Sequence, residues 1–530
     1  MNANEQQMQA INSDSNKLLV MAGAGAGKTF VMIQRVSRLV NEGVNPSKIL
    51  VLTFTNNAAF EMRERYKKQN PGKVSPEFRT FHSFCYSLIV KDAFIRDKMG
   101  YTQVPKIADD AKMKWIEKNA KMQTNFKVSD KKVQSGFLSK SEQKGYDIYL
   151  KAVNRLLKQE NLITFDILCY DICEMFVADD PIIKQYKDHY EYLFVDEFQD
   201  TDPKQIRFLN SFKDVNWFFC GDALQNIYSF RGCSNDTLKQ LASDDSWERI
   251  KMYQNYRSTK EICEFANKHS TYADDTYRIE MNGQRNGDKV EVITGSFVDF
   301  NTPVDEIHLQ KIIELAKNRS EDMAIICRTN KEVKFICEEL KAQNVEYNSS
   351  VKNTDCLHIL KSVIDNEYML NWLSTYLNAD TYADYVRQSA NVENPDIKWF
   401  SRMYGKMKDI QSRGKQIVEV RKISQNIRMS WFEKCQNILS ILKIDNLELP
   451  EDIEYNSPLQ MIDDLIQRIE DSKSSDLYVG TIHSVKGLEF GHVIVVGAYD
   501  KNFKIDSEEN KNVYYVAVTR AKNHLTVFMR

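Results

Sequence analysis

Residues 22–29 read AGAGAGKT, preceded by the apolar run KLLVMA at 17–22 and followed by a helical periodicity through Val31, Ile33, Val36 and Leu39. Few folds accommodate a strand that stops in alternating glycines and restarts as a helix. Gly23, Gly25 and Gly27 permit backbone N–H groups to converge on one point at a helix N-terminus, which is a cradle for phosphate. Lys28 then reaches toward β and γ phosphates, and the Thr29 hydroxyl is a ligand for Mg²⁺. Ala24 and Ala26 fill the variable positions, and Ala22 stands where the strict pattern has glycine. An ordinary glycine-rich turn is the simpler account, but the GKT ending in this context disfavours it.

Nucleotide hydrolysis needs a second element that holds the metal and polarises water, and YLFVDEFQDT at 192–201 supplies one after an apolar strand. Asp196 is the expected Mg²⁺ ligand and Glu197 the expected general base. An acidic pair after a strand taken alone is equally a helix cap; beside a phosphate loop that account is poor. Further unbroken apolar runs at 49–55, 192–197 and 217–222 have the pattern of buried parallel strands, and a second set lies at 289–295, 323–329, 492–498 and 524–529. The expectation is an α/β chain with two parallel-sheet domains. At 530 residues and 42% hydrophobic composition the chain is too long for one core.

Between these sets, roughly 90–160 and 346–475, helix formers and basic residues dominate, and both stretches are expected to be helical insertions. SKSSD at 472–476 is the expected hinge back into the second domain. The 72 basic residues nearly cancel the 74 acidic ones, so a polyanion would be held by a local groove rather than by global charge. Ten cysteines show no paired spacing for a metal, Cys169 and Cys173 being the nearest neighbours, and are expected to be reduced thiols. No secretion signal and no membrane span are recognised, so a cytoplasmic protein without a membrane partner is expected.

Six further segments follow in order: TFTNNAAFEMRER at 53–65, RTFHSF at 79–84, GDALQNIYSFRG at 221–232, QNYRS at 254–258, TIHSVKGLEF at 481–490 and YVAVTRA at 515–521. With the phosphate loop and the acidic pair, they make the chain resemble superfamily-one DNA helicases of the UvrD, PcrA and Rep type. The resemblance implies two RecA-like P-loop domains, each interrupted by a mainly helical accessory insertion: 1–89 with 161–250, broken by 90–160, and 251–345 with 476–530, broken by 346–475. It implies ATP and Mg²⁺ between the two domains. It implies that Gln7 reads adenine through its amide, that Tyr256 stacks on the base and that Glu489 meets the ribose. Gln225 corresponds to the residue that senses the γ phosphate, and Arg257 and Arg520 to arginine fingers. Each also has a plainer account as a surface polar residue or a structural salt bridge.

A motor that advances over any sequence holds a single strand through stacking and phosphate contacts. The resemblance puts Phe54, His82, Tyr228, Phe230 and His483 at strand-contacting positions, with Thr53, Asn56, Thr80 and Thr481 for phosphates. Phe230 stands where several relatives carry tryptophan. The implied activity is ATP-dependent translocation on single-stranded DNA, 3′ to 5′ by resemblance alone, with unwinding at single-strand/duplex junctions. The basic stretches 127–144 and 401–415 are the expected duplex contacts. The alternative is a translocase, or a DNA-sensing ATPase subunit of a nuclease-containing complex such as one in phage defence. Since the sequence ends at Arg530, soon after the YVAVTRA segment, a nuclease is expected only as a separate chain, beside replication or repair proteins as other partners.

Overall fold

The computed structural model describes residues 3–108, 110–128, 132–133, 138–229, 232–233, 235–294, 304, 306–349, 419–420, 422–424, 426, 428–442, 454–455, 458–471, 475–499 and 503–529. Two compact units divide the chain: Met1–Thr294 with Val485–Arg530, and Gly295–Ser484. Phe230, the stretch 401–415 and part of 127–144 lie outside the described residues, as do 472–474 of the expected hinge.

In the first unit, six strands form one all-parallel sheet: β1 (Lys17–Ala22), β2 (Ile49–Thr53), β3 (Glu77–Thr80), β4 (Tyr192–Val195), β5 (Asn216–Gly221) and β6 (Glu248–Met252). Their order is β3–β2–β4–β5–β1–β6. Val20 pairs with Cys220 on one side and Ile250 on the other, and Val51 with Phe78 and Phe194. Every residue of β2 is buried, as are all of β1 after Lys17. A strand covered on both faces gains from apolar residues at successive positions, which is why these runs lack alternation. Each fully buried Val or Leu there contributes about 1.5–3 kcal/mol.

Because all six strands run the same way, their C-terminal ends share one edge of the sheet. That edge carries the 22–29 loop after β1, Asp196 and Glu197 after β4, and Asp222 after β5. Helix α1 (Glu5–Asn12) opens with a capping box between Asn4 and Gln7. Helix α2 (Lys28–Asn41) turns Val31, Met32, Ile33, Val36 and Leu39 into the core. Arg35 of α2 is buried and donates to the carbonyls of Ala10 (2.9 Å), Ile11 (3.3 Å) and Ser13 (2.7 Å), satisfying the C-terminal end of α1. Burial lowers its pKa to about 10, leaving it charged at neutral pH.

Helices Asn56–Gln69 and Phe81–Lys91 follow β2 and β3. Among the described residues of the expected first insertion, helices Ala93–Lys98, Asp110–Thr124 and Lys140–Gln159 dominate, with a two-residue strand at Lys106–Ile107. The last two long helices pack around Ile116, Ala120, Phe126, Val153 and Leu157. The first unit also holds strand Gln254–Thr259 paired in parallel with Asn282–Arg285. Strand Ala521–Met529 is flanked in parallel by Glu291–Thr294 and Phe490–Ala498. In the second unit, Leu477–Thr481 lies in parallel between Met323–Cys327 and Asn348–Ser349, accompanied by helices Glu306–Lys317, Asn330–Ala342, Trp431–Leu442 and Pro458–Asp471.

Candidate functional site

The 22–29 loop closes on itself and is gripped from two directions. Ala26 N–H donates to Gly23 O (3.3 Å), and Lys28 Nζ donates to Ala22 O (3.3 Å). Gly25 and Gly27 take φ of 69° and 83°, the left-handed region that excludes most side chains. A Cβ on Gly25 would also lie 2.6 Å from Arg257 Cβ, and one on Gly27 would lie 2.8 Å from Gln7 Nε2. From α1, the Gln7 amide donates to Ala26 O at 3.0 Å while its oxygen accepts from Asn4 N–H at 3.1 Å. From strand Gln254–Thr259, Tyr256 N–H donates to Gly25 O at 3.0 Å, and Asn255 Nδ2 to Ala24 O at 2.7 Å.

Beside the loop lies a dense set of charges. Asp196 is buried, and its Oδ1 has no hydrogen-bond partner among the described residues. Burial, then the adjacent Glu197, pushes the Asp196 carboxyl up to about 7 against the pull of Lys28. Glu197 sits at φ 49°, ψ 46°, a left-handed conformation that costs a non-glycine residue about 1–2 kcal/mol. That turn separates its side chain from the direction of β4 and delivers it to Gln199 Nε2, from which it accepts at 2.6 Å. Burial acts to raise the Glu197 pKa, but Lys28, Lys486, Gln199 and Arg520 outweigh it and the net shift is downward. For Lys28, burial acts to lower the pKa, and Glu197, Asp222 and Asp196 reverse it to a net rise. The lysine is therefore a fixed cation among carboxylates. A buried carboxylate oxygen with no donor, next to a phosphate-type loop, fits a hard divalent cation.

Gln225 connects this set to the C-terminal segment. Its Nε2 donates to Asp222 Oδ2 at 2.8 Å, and its Oε1 accepts from Arg520 Nη2 at 3.2 Å. Arg520 is 2% exposed and also donates to Val516 O, Leu488 O and Thr519 Oγ1. Arg257 instead pairs with Glu489, Nε to Oε2, at 2.6 Å. Lys486 Nζ donates to both oxygens of Asp200 (2.7 and 2.6 Å) and to Gln225 O (2.7 Å). It lies 4.7 Å from the centre of the Tyr228 ring, and that ring stacks on Phe54 with centroids 5.0 Å apart and planes 25° apart. His82 meets Phe165 edge-on at 5.2 Å. Thr80 caps the helix Phe81–Lys91 and donates to Asn56 Oδ1 at 3.3 Å, while Thr53 is buried at the end of β2.

A family model described as the UvrD/REP helicase N-terminal domain matches residues 3–246. A second, described as the UvrD-like helicase C-terminal domain, matches 250–355 and 355–530. The chain belongs to the UvrD-like helicase family. Among curated relatives, the ATP-dependent DNA helicase PcrA of Staphylococcus aureus is 25% identical over 626 aligned residues, spanning 99% of this chain and 82% of its own. The PcrA of Staphylococcus epidermidis is 25% identical over 621, spanning 99% and 83%.

In this UvrD-like helicase, Gln7, the 22–29 loop, Asp196, Glu197, Gln225, Tyr256, Arg257, Glu489 and Arg520 all fall in the first unit, as do Thr53, Phe54, Asn56, Thr80, His82 and Tyr228. Thr481 and His483 belong to the second unit, where Thr481 Oγ1 accepts from Ser484 N–H at 3.4 Å. Asp200, Asp222, Asn255 and Lys486 join these residues without a role that their motifs assign, although each lies inside one of the ordered segments. Their signal is their position beside matched residues; Asp222 bonds Gln225 three positions on, whereas Asp200 with Lys486 and Asn255 with Ala24 are too distant along the chain for spacing to pair them. No helix among the described residues is long and apolar enough to cross a membrane. Cys85, Cys169 and Cys173 form no disulfide.

Proposed function

We propose that this chain hydrolyses ATP with Mg²⁺ while moving along single-stranded DNA, 3′ to 5′, and separates duplex at single-strand/duplex junctions. The domain limits of this motor are 1–89 with 161–250 and 251–345 with 476–530, the intervening segments being accessory. Residues 22–29 cradle the phosphates, with Lys28 on the transferred one. Gln7 and Tyr256 receive the base and Glu489 the ribose. Glu197 orients and deprotonates the attacking water, and its lowered pKa keeps it ionised for that task. Thr29 and Asp196 would hold Mg²⁺, which offsets charge on the phosphate oxygens. Gln225, Arg257 and Arg520 stabilise negative charge as the terminal phosphate leaves. Thr53, Phe54, Asn56, Thr80, His82, Tyr228, Phe230, Thr481 and His483 hold the strand by stacking and phosphate contacts.

The observation that carries this reading is the path through Lys486. One ammonium binds Asp200, four residues beyond Asp196, and the carbonyl of Gln225, and it also faces the Tyr228 ring stacked on Phe54. A shift of Gln225 on gain or loss of a phosphate is thereby linked to an aromatic pair suited to a base. The PcrA relatives, named as ATP-dependent DNA helicases, support the same activity for this chain.

The test is ATP turnover with and without single-stranded DNA, followed by strand separation on duplexes with 3′ or 5′ overhangs. Stimulation by single strands and unwinding from the 3′ overhang are expected. Turnover indifferent to DNA would sink the motor; stimulation without unwinding would leave a translocase or a DNA-sensing ATPase subunit. Lys28→Ala is expected to reduce turnover by about 10³-fold, and unwinding that survives this change would overturn the assignment of the loop.

A further inference from the structure

Asn255 is 1% exposed and lies between the phosphate loop and the arginine two residues beyond it. Its Nδ2 donates to Ala24 O at 2.7 Å, and its Oδ1 accepts from the backbone N–H of Arg257 (2.8 Å) and of Ser258 (2.7 Å). One planar amide therefore fixes the height of the loop relative to the backbone of Arg257. A second observation concerns the same contact: a Cβ on Gly25 would sit 3.0 Å from both Asn255 Nδ2 and Oδ1, and 2.6 Å from Arg257 Cβ. Loop, amide and arginine are in closest packing, with no slack to absorb a displacement.

We propose that Asn255 is a positioning residue that couples seating of nucleotide in the 22–29 loop to the placement of Arg257. The proposal rests on the assignment of Arg257 to transition-state charge made above. The guanidinium of Arg257 is held by Glu489 at 2.6 Å, so its charged end exchanges partners when phosphate arrives. Its Cα does not need to follow, because the Asn255 oxygen pins the backbone on either side of the exchange. Loop motion reaches that backbone through Ala24 O and the Asn255 amide. An oxygen and an NH₂ group at fixed separation are both required, and of the common side chains only Asn offers both at this reach.

The experiment is a double-mutant cycle in the full chain, read as kcat at saturating ATP and single-stranded DNA. Asn255→Ala is expected to lower kcat by about 30-fold, with KM for ATP changed by less than about threefold and DNA affinity without nucleotide unchanged. In an Arg257→Ala background the same change is expected to cost less than about twofold, because the group it positions is gone. Asn255→Asp serves as a second variant should the alanine fail to fold. It keeps the acceptor for Arg257 and Ser258 but loses the donor to Ala24, and its effect on kcat is expected to vanish likewise in the Arg257→Ala background. Equal losses in both backgrounds would overturn the coupling and leave Asn255 a general support of the loop. Wild-type kcat in either Asn255 variant would overturn the proposal while leaving the site intact. An Arg257→Ala protein with wild-type kcat would instead remove the assignment on which the proposal depends, and the proposal with it.

Discussion

The surroundings of Arg257 and Arg520 differ more than their shared charge suggests. Arg520 is sealed: three backbone or hydroxyl oxygens and the Gln225 amide take up its guanidinium, and burial, followed by the nearby Arg257, lowers its pKa to about 9. It remains a cation at neutral pH, aimed by its own hydrogen bonds. Arg257 keeps 18% of its side chain exposed and has one strong partner, the half-exposed Glu489, besides a long contact of 3.4 Å to Thr519 O. A pair in contact with solvent is held weakly and exchanges readily, whereas a sealed cation resists both removal and motion. One arginine is thus held on all sides, and the other by a single ion pair open to solvent.

Truncating each arginine separates these roles. Arg520→Ala is expected to reduce kcat by about 10³-fold or more and to destabilise the fold by about 3 kcal/mol, since buried acceptors lose their donor. Denaturant unfolding measures the second effect. Arg257→Ala is expected to match the loss of kcat with a stability change below about 1 kcal/mol; equal destabilisation by the two changes would erase the distinction drawn here. Glu489→Gln, which weakens the hold on Arg257 and the expected ribose contact together, should raise KM for ATP by about tenfold and leave kcat near its original value.

The smallest effect concerns pH. Burial raises the Asp200 pKa from 3.8 to about 6, and Lys486 opposes that shift without cancelling it. The folded state therefore binds more protons than the unfolded one between pH 4 and 6, so this group's contribution to stability falls as pH rises through that window. Urea unfolding at several pH values should show that component of the slope in the original chain and not in Asp200→Asn. An unchanged slope in the variant would mean that Lys486 holds Asp200 ionised throughout, making the Lys486 pair as preset as Arg520.

Much of the first sheet could be read directly. The run 17–22 is a strand over those same residues, because continuous apolar side chains have one economical use in a parallel sheet. The run 192–197 stops short at Val195, since Glu197 turns left-handed to bring its carboxylate to Gln199, a demand of the site rather than of the strand. Strands Glu248–Met252 and Gln254–Thr259 carry no apolar run, because polar and charged residues interrupt them; β6 lies at the sheet edge and exposes Arg249. The expected adenine role of Gln7 acquires a further aspect, as its amide already holds the loop through Ala26.

The sequence by itself determined the phosphate loop, the acidic pair, the order of the matched segments and hence the family. Those features depend on local backbone geometry and on spacing between residues a few positions apart. Tertiary structure decided which polar groups became partners: Lys486 with Asp200 across 286 positions, Asn255 with Ala24 across 231, and Arg520 with Gln225 across 295. Parallel strands deliver their C-terminal ends to one edge whatever the length of chain between them. Ala24, Asp200 and Gln225 follow such ends, whereas Lys486 and Arg520 precede strands Phe490–Ala498 and Ala521–Met529 and Asn255 lies within Gln254–Thr259; each bond is set by where these segments meet, and at such distances spacing carries no record of it.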